Sequence, residues 1–190
     1  MKKPHIFVIS GPSAVGKTSV VNDILRRDRT LSRVVTCTTR QKRDSEKEGV
    51  DYFFLSKEKF LREIKEKKLI EFSQIYGNYY GVTFSALMEK INTAQDAILV
   101  VNWEGFLKIK EVTIGNVYGI FILPPSIEDL EARIKSRGED SSEAISQRIG
   151  LAREEIDMAR HFDFCFKNVD ITSIAEDIVK KINEIRYGTQ

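Results

Sequence analysis

Hydrophobic residues recur along the chain in two alternating patterns. Residues 6–9, 97–101 and 117–123 are short runs that are apolar on both faces, which is typical of strands in a parallel sheet. Other segments carry apolar residues three and four positions apart, and this spacing predicts amphipathic helices. Strands that alternate with helices predict an α/β protein, a three-layer core with a mainly parallel sheet.

Hydroxyl side chains mark the beginnings of several helices, because they can accept a hydrogen bond from the first helical turn. The predicted caps are Ser56, Thr83, Ser126 and Ser173. The helix after Thr83 is predicted to turn Phe84, Leu87, Met88 and Ile91 inward. Further helices are predicted over residues 18–27, 105–112 and 142–160, strands over 34–35, 52–55, 70–72 and 162–166, and a turn over 76–81.

Two segments interrupt the simple alternation of strand and helix. Residues 34–92 mix short strands with helices, and residues 127–153 are helical and rich in arginine. We therefore predict a single domain with a core of residues 1–33, 93–126 and 154–190, a lobe of residues 34–92 and a lid of residues 127–153. Both insertions are expected to overhang the carboxyl ends of the strands, where ligands bind in such sheets.

Composition limits the function classes. With 190 residues and 42% hydrophobic content, the chain can bury one sizeable core, and its formal net charge of +2 gives no reason to expect a nucleic-acid or membrane partner. No apolar run approaches the roughly 20 residues of a membrane span, and residues 1–4 lead straight into a predicted strand. We expect a cytoplasmic protein without a signal peptide.

The cysteines and histidines do not form a metal-binding pattern. Cys37, Cys165, His5 and His161 lie far apart in the sequence, without a C-x-x-C pair or a histidine at metal-ligand spacing. Structural roles are expected for all four, with free thiols and no metal site built from protein ligands alone.

Residues 11–18 read Gly-Pro-Ser-Ala-Val-Gly-Lys-Thr and lie between a predicted strand and a predicted helix. The spacing G-x-x-x-x-G-K-[ST] is typical of a phosphate-binding loop, in which glycines turn backbone N–H groups inward beneath a helix N-terminus. Lys17 would reach the β- and γ-phosphates, and the Thr18 hydroxyl would take one coordination place on Mg²⁺. This pattern predicts that the chain binds a nucleoside triphosphate.

A second group of polar residues could hold the phosphate acceptor. Arg40, Arg43, Tyr52 and Tyr80 combine guanidinium and phenol donors suited to phosphate oxygens. Glu71 lies in an apolar strand-like run, and its carboxylate could accept both the N1–H and the amino group of guanine. The alternatives are that the arginines pair with Glu46 and Glu48, that Glu71 caps a turn and that the tyrosines pack at a rim.

Five segments together resemble the guanylate kinase family. They are GPSAVGKTS, TCTTRQKR followed by GVDYFF, IEFSQIYGNYYG, ILPPSIEDLEARIKSRG and the late pair Lys167-Asn168. The resemblance extends from Ile6 to the C-terminal helix. It implies transfer of the ATP γ-phosphoryl group to GMP or dGMP with Mg²⁺, in purine nucleotide metabolism, with residues 34–92 as the GMP-binding lobe.

The resemblance also implies residue roles. Lys17 and the lid and core arginines would stabilise the transferring phosphoryl group, and these arginines are Arg133, Arg137 and Arg148. ATP would be bound by Gly11, Pro12, Ser13, Ala14, Val15, Gly16, Lys17, Thr18, Ser19 and, at the adenine, Asn168. GMP would be bound by Thr36, Arg40, Arg43, Tyr52, Glu71, Tyr80 and Asn102. Thr36 keeps a hydroxyl where the family usually has serine, and Thr18, phosphate oxygens and water would hold the metal.

Three positions depart from the family pattern. Val82 replaces the small hydroxyl residue usual beside guanine, Asn102 replaces an aspartate after the middle strand, and Val100 replaces an acidic residue two positions earlier. Two other functions stay open at this point: a kinase-like module that binds phosphorylated peptides, and a kinase for another acceptor. The intact loop argues against the first and Glu71 against the second. A monomer or homodimer is expected.

Overall fold

The computed structural model describes residues 3–44, 46–75, 77–113, 116–136 and 142–188, with residues 142–144 by their backbone alone. The chain forms two compact units. The first unit comprises Met1–Phe7 and Thr30–Val117, and the second comprises Val8–Arg29 and Tyr118–Gln190. The predicted division into core, lobe and lid stays a prediction.

The described residues form strands and helices in the following order along the chain. The strands are β1 (His5–Ser10), β2 (Ser32–Arg33), β3 (Thr36–Thr38), β4 (Tyr52–Phe54), β5 (Leu69–Ile75), β6 (Asn78–Thr83), β7 (Ala97–Val100), β8 (Asn116–Leu123) and β9 (Phe164–Lys167). The helices are α1 (Lys17–Arg27), α2 (Lys57–Lys65), α3 (Phe84–Asn92), α4 (Trp103–Val112), α5 (Ile127–Lys135), α6 (Ser142–Asp157) and α7 (Ile171–Tyr187), with a 3-10 turn at Met158–His161.

The first unit contains two groups of strands. One has the order β2-β7-β1 with β2 parallel to β7, and the other is a four-stranded sheet with the order β4-β3-β6-β5. In the second sheet β3 is parallel to β4 and antiparallel to β6, and β5 and β6 form a hairpin. The predicted strand at 34–35 is wrong, because these two residues carry the chain from β2 to β3, which belong to different sheets.

The second unit continues from β1 in the order β1-β8-β9, with β8 parallel to β9. Helix α1 packs against α7, and α5 packs against α6. Buried aliphatic residues of α1 and α7 fill this core, among them Val20, Ile24, Ile178 and Ile182. The α/β class with a mostly parallel sheet, predicted from the alternating pattern, is confirmed.

Helix caps show where local sequence fixes the fold. Ser56, Thr83 and Ser126 each accept a hydrogen bond from a backbone N–H in the first turn of α2, α3 and α5, which confirms three predicted caps. The fourth is wrong: Asp170 caps α7 by accepting from the Ser173 N–H at 2.8 Å. A carboxylate three residues earlier therefore takes the capping role.

Two other predictions about residues 76–91 are wrong in part. Asn78–Thr83 is strand β6 rather than a turn, because these residues pair with β5 and the chain reverses at Gly77, whose φ is +78°. On α3 only Leu87 is buried, whereas Phe84 and Met88 are 44% and 43% exposed. Tyr76 and the predicted helix break at 138–141 lie outside the described residues.

Candidate functional site

The loop between β1 and α1 can be built only with glycine at two positions. Gly11 has a φ of +147°, and a Cβ atom there would lie 2.4 Å from the carbonyl oxygen of Ile122. Gly16 has a φ of +100°, and its Cβ would lie 2.8 Å from Nδ2 of Asn168. Both glycines therefore have a conformational and a steric reason for their place in the motif.

The loop ends at the N-terminus of α1, where backbone donors are presented. Gly16 is the N-cap residue and supplies no side chain to accept from the first turn, and this turn contains no acidic residue. Thr18 and Ser19, in the same turn, are exposed. The first N–H groups of a helix need acceptors and carry partial positive charge, so this end of α1 can bind an anion.

Lys17 lies across the loop. Its Nζ donates to the carbonyl oxygens of Gly11 at 2.6 Å and Pro12 at 3.0 Å. These contacts hold the ammonium group against the loop backbone, and its predicted role toward the phosphates stays a prediction. A bound phosphate would offer this cation stronger, charged acceptors than the two carbonyl oxygens.

Asn168 lies directly after β9 and contacts the same loop. Its Nδ2 donates to the carbonyl oxygen of Val15 at 2.7 Å, and only 1% of the residue is exposed. Its Oδ1 is buried and has no hydrogen-bond partner among the described residues. This contact fixes the conformation of the loop, and the predicted role of Asn168 toward adenine stays a prediction.

Two of the three predicted arginines also lie at the loop. Arg133 on α5 donates to the carbonyl oxygen of Val15 at 3.4 Å, and Arg148 on α6 donates from Nη2 to Oγ of Ser13 at 3.2 Å. Both guanidinium groups therefore lie at the anion-binding end of the second unit. Arg137 lies outside the described residues, so its role stays a prediction.

Sequence analysis missed Glu155, which lies on the same face of α6 as Arg148, two helical turns later, and also reaches the loop. The N–H of Ser13 donates to Oε2 of Glu155 at 3.2 Å, across 142 positions of the sequence. Burial raises the pKa of Glu155, while Lys17 and the Ser13 N–H oppose that shift by favouring the charged form. No local pattern around Glu155 marks it, because the contact exists only once α6 packs near the loop.

In the first unit, strand register assembles the second group of predicted residues. Thr36 on β3 is opposite Tyr52 on β4, and Thr38 is opposite Tyr80 on β6. The Tyr52 and Tyr80 rings are 6.2 Å apart, centre to centre. Thr36 is 7% exposed, so it is almost entirely buried. Residues far apart in sequence thus form one cluster.

Arg40 extends over this cluster and pairs with an acidic residue. Its Cζ lies 5.6 Å from the centre of the Tyr52 ring, and Nη1 and Nη2 donate to the two carboxylate oxygens of Glu46 at 3.0 Å and 2.7 Å. Burial lowers the pKa of Arg40, but the bonds to Glu46 and the proximity of Tyr80 outweigh it and raise that pKa. The pairing of Arg40 with Glu46, one alternative from the sequence, is therefore present.

Arg43 and Tyr52 differ in their environment. Arg43 is exposed, and its backbone N–H donates to Oε2 of Glu46 at 2.9 Å. Burial raises the pKa of Tyr52, and nearby Tyr80 adds to the shift. Sequence analysis missed Arg33, a half-buried cation close to Tyr52, whose Nη1 is 3.8 Å from Oδ1 of Asp51.

Glu71 lies on β5 beside the N-terminal turn of α4. A Cβ atom on Gly105 would be 2.9 Å from both Cδ and Oε2 of Glu71, so only glycine leaves room for this carboxylate. Burial raises the pKa of Glu71 to about 7, and the negative charge of Glu104 adds to the shift. Val82, one of the departures from the family pattern, is fully buried and opposite Glu71 in the β5–β6 hairpin.

Asn102 caps α4 beside Glu71. Its Oδ1 accepts from the Gly105 N–H at 2.9 Å, and its Nδ2 donates to Oε2 of Glu104 at 3.1 Å. The two acidic side chains and the amide therefore form one group, which includes both predicted base-binding residues, Glu71 and Asn102. Glu104 was missed because nothing in the sequence shows that the amide of Asn102 points toward it.

Metal ligands and membrane segments were also sought in the described part of the chain. There, no three or more histidine, cysteine, aspartate or glutamate side chains are grouped to hold a metal ion. Over the same residues, every helix is too short or too polar to cross a membrane.

Comparison with known proteins gives a consistent result. The family model described as guanylate kinase matches residues 3–185. A guanylate kinase of Clostridioides difficile is 40% identical over 178 residues, which cover 94% of this chain and 86% of that protein. A guanylate kinase of Halalkalibacterium halodurans is 37% identical over 181 residues, covering 95% and 88%.

A solved structure agrees with the sequence relatives. The crystal structure of guanylate kinase from Anaplasma phagocytophilum superposes with a TM-score of 0.76 at 29% identity, covering 99% of this chain and 97% of that one. Since the family model spans nearly the whole chain and the two relatives are 40% and 37% identical over the matched residues, this chain belongs to the guanylate kinase family.

Proposed function

We propose that this protein transfers the γ-phosphoryl group of ATP to GMP, giving ADP and GDP, and that it also accepts dGMP. The observation that carries the proposal is the presence in one chain of two complementary sites. The second unit holds an anion-binding loop with Lys17, and the first holds the buried carboxyl of Glu71 near an arginine–tyrosine cluster. Membership of the guanylate kinase family supports this assignment.

The second unit would bind the ATP phosphates. The N–H groups at the start of α1 would donate hydrogen bonds to the phosphate oxygens, and Lys17 would exchange its bonds to Gly11 and Pro12 for bonds to phosphate. Arg133 and Arg148, already at the loop, would neutralise charge on the transferring group, together with Arg137. Catalysis then consists of positioning and electrostatic stabilisation, without a protein nucleophile.

Family members use ATP and generally need a divalent metal, and we propose that here it is Mg²⁺. The exposed hydroxyl of Thr18 at the start of α1 fits as one ligand, since Mg²⁺ prefers oxygen ligands and commonly keeps phosphate oxygens and water. Val100 supplies no carboxylate, so Thr18 would be the protein's direct ligand. When bound, the ion would offset negative charge on the phosphates.

The first unit would bind the GMP phosphate through Arg40, Arg43, Tyr52 and Tyr80. Glu46 holds the Arg40 guanidinium in a fixed orientation beside both phenols, and a guanidinium has five donors, more than this carboxylate uses. The pairing with Glu46 is therefore compatible with phosphate binding and orients the arginine for it.

The same unit would recognise guanine through Glu71, with Thr36 and Asn102 as neighbours. An ionised carboxylate can accept the N1–H and the 2-amino group together, whereas adenine offers no matching pair of donors. Because the pKa of Glu71 is raised to about 7, part of the free protein carries a protonated Glu71 near neutral pH, and the protonated acid has fewer acceptor positions. Guanine would thus select the charged form.

Small molecules are the partners in this proposal: ATP and GMP or dGMP. A monomer or homodimer in the cytoplasm stays the expectation from the sequence.

A coupled assay of ADP release tests the function directly. Purified protein with ATP and Mg²⁺ is given GMP, dGMP, AMP, UMP or CMP in turn, and a Lys17→Ala preparation serves as the control for contaminating kinases. Turnover with GMP and dGMP at least a hundredfold above the other acceptors is expected. No turnover with any acceptor, or equal turnover with AMP, would contradict the proposal.

A further inference from the structure

The side-chain amide of Asn102 is held at both ends. Its oxygen accepts from the Gly105 N–H at 2.9 Å, and its nitrogen donates to the carboxylate of Glu104 at 3.1 Å. An amide nitrogen cannot accept the first bond and an amide oxygen cannot donate the second. The two contacts together therefore determine which end of the amide carries the oxygen.

The held oxygen lies next to the carboxylate proposed to bind guanine. A Cβ atom built on Gly105 would be 2.9 Å from Oε2 of Glu71 and 3.1 Å from Oδ1 of Asn102, so both oxygens border one small space. A carbonyl oxygen has two lone pairs, and the Gly105 N–H uses one of them. The second can accept from a donor that enters this space.

Orientation matters more for an amide than for a carboxylate. Rotation of the Asn102 amide by half a turn would present an NH₂ group to the donor edge of guanine, where donor would face donor. The family's aspartate presents oxygen in either orientation. In this chain, the Gly105 N–H and the Glu104 carboxylate both favour the orientation that offers an acceptor, and Glu104 is the side chain among the two.

We propose that Glu104 is a specificity-determining residue for guanine, because it holds the Asn102 amide with its oxygen turned toward the base. This inference rests on the proposed function and concerns the same GMP site. Glu104 acts through Asn102 and is therefore a positioning residue. Its carboxylate can hold the Nδ2 donor through a charge-assisted bond, which is stronger than a bond between neutral groups.

Glu104 has a second effect that must be separated from the first. Its negative charge lies near Glu71 and disfavours the ionisation of that carboxyl. The thiol of Cys37 is also close to Glu71. Removing Glu104 would therefore help GMP binding near neutral pH through Glu71 while harming it through Asn102. At pH 8.5 Glu71 is ionised with or without Glu104, so the contribution of the amide can be measured there.

A double-mutant cycle at pH 8.5 tests the proposal. The wild-type chain, Glu104→Ala, Asn102→Asp and the double variant are compared in kcat/KM for GMP and for IMP, which lacks the 2-amino group. Glu104→Ala alone should lower kcat/KM for GMP about fivefold or more and reduce the GMP-to-IMP ratio. In the Asn102→Asp background the same change should have no cost, since a carboxylate needs no orientation.

Further variants separate positioning from stability. Glu104→Gln keeps an oxygen that can accept from Asn102 and should recover at least half of the lost GMP efficiency. Glu111→Ala removes an exposed carboxylate from the same helix and should leave both substrates unaffected. Equal losses from Glu104→Ala in both backgrounds, or an unchanged GMP-to-IMP ratio, would overturn the proposal. A wild-type chain unable to use GMP would instead refute the proposed function.

Discussion

Replacing Glu71 by glutamine should stabilise the free protein at high pH. Burial raises the pKa of this carboxyl from its ordinary 4.5 to about 7, so the folded state holds a proton that the unfolded chain releases. The contribution of Glu71 to folding is therefore fully present below pH 4.5 and is lost as the pH rises through 7. Glu71→Gln has no proton to lose and should escape this loss.

The size of the effect follows from the shift. One pKa unit corresponds to about 1.4 kcal/mol, so the wild-type free energy of unfolding should fall by about 3 kcal/mol more than that of Glu71→Gln between pH 4.5 and pH 8. The comparison across pH removes any constant difference due to packing of the new side chain. Only a group that titrates in the wild type and is absent from the variant produces this difference.

Urea unfolding of both proteins at several pH values measures this difference. Glu111→Gln, a change at an exposed carboxylate paired with Lys108, serves as the control and should follow the wild type at every pH. A difference between wild type and Glu71→Gln that does not change with pH would mean that Glu71 titrates normally. The conclusion that burial and Glu104 disfavour the charged form of Glu71 would then be wrong.

Three further results are expected. The GMP affinity of the wild type should increase with pH up to about 7 more steeply than the GMP affinity of Glu71→Gln. Both proteins share the titration of the GMP phosphate at pH ~6, but only the wild type has the Glu71 carboxyl. Parallel curves of affinity against pH would contradict this. Gly105→Ala should displace Glu71 and lower kcat/KM for GMP about tenfold in steady-state kinetics. Gly150→Ala should leave kcat/KM unchanged, because a Cβ atom added at Gly150 would meet no atom within 4 Å. Lys17→Ala should lower kcat about a hundredfold or more with an unchanged circular dichroism spectrum, and near-normal turnover would remove the loop from the mechanism.

Local features of the sequence predicted the parts of the fold that depend on neighbouring residues. The glycine-rich loop and its helix, and the caps at Ser56, Thr83 and Ser126, follow from steric and hydrogen-bonding rules that act within four residues. The strand at 34–35 was mispredicted because two valines favour a strand wherever they stand, while pairing partners decide where a strand forms. Phe84 and Met88 show the same limit. Helical spacing identifies the apolar face of a helix, but it does not say which residues of that face are buried by the rest of the protein.

The candidate sites divide in the same way. Residue type and motif identified Lys17, Arg40 and Glu71 as candidates, and their roles toward ligands stay predictions. Glu155 and Glu104 were missed, because their contacts to Ser13 and Asn102 depend on where whole helices pack or how one amide is turned. Such contacts leave no spacing that sequence analysis could detect.

The central claim is that the first unit binds GMP and the second binds ATP. Its most direct test is to measure the binding of both nucleotides to two variants, one in each unit. Titration calorimetry of Lys17→Ala should show ATP binding weakened about tenfold or more, with GMP binding within twofold of the wild type. Arg40→Ala should show the reverse, since its guanidinium lies with Tyr52 and Tyr80 in the first unit. If Arg40→Ala weakens ATP binding and leaves GMP binding unchanged, the assignment of the two sites is wrong.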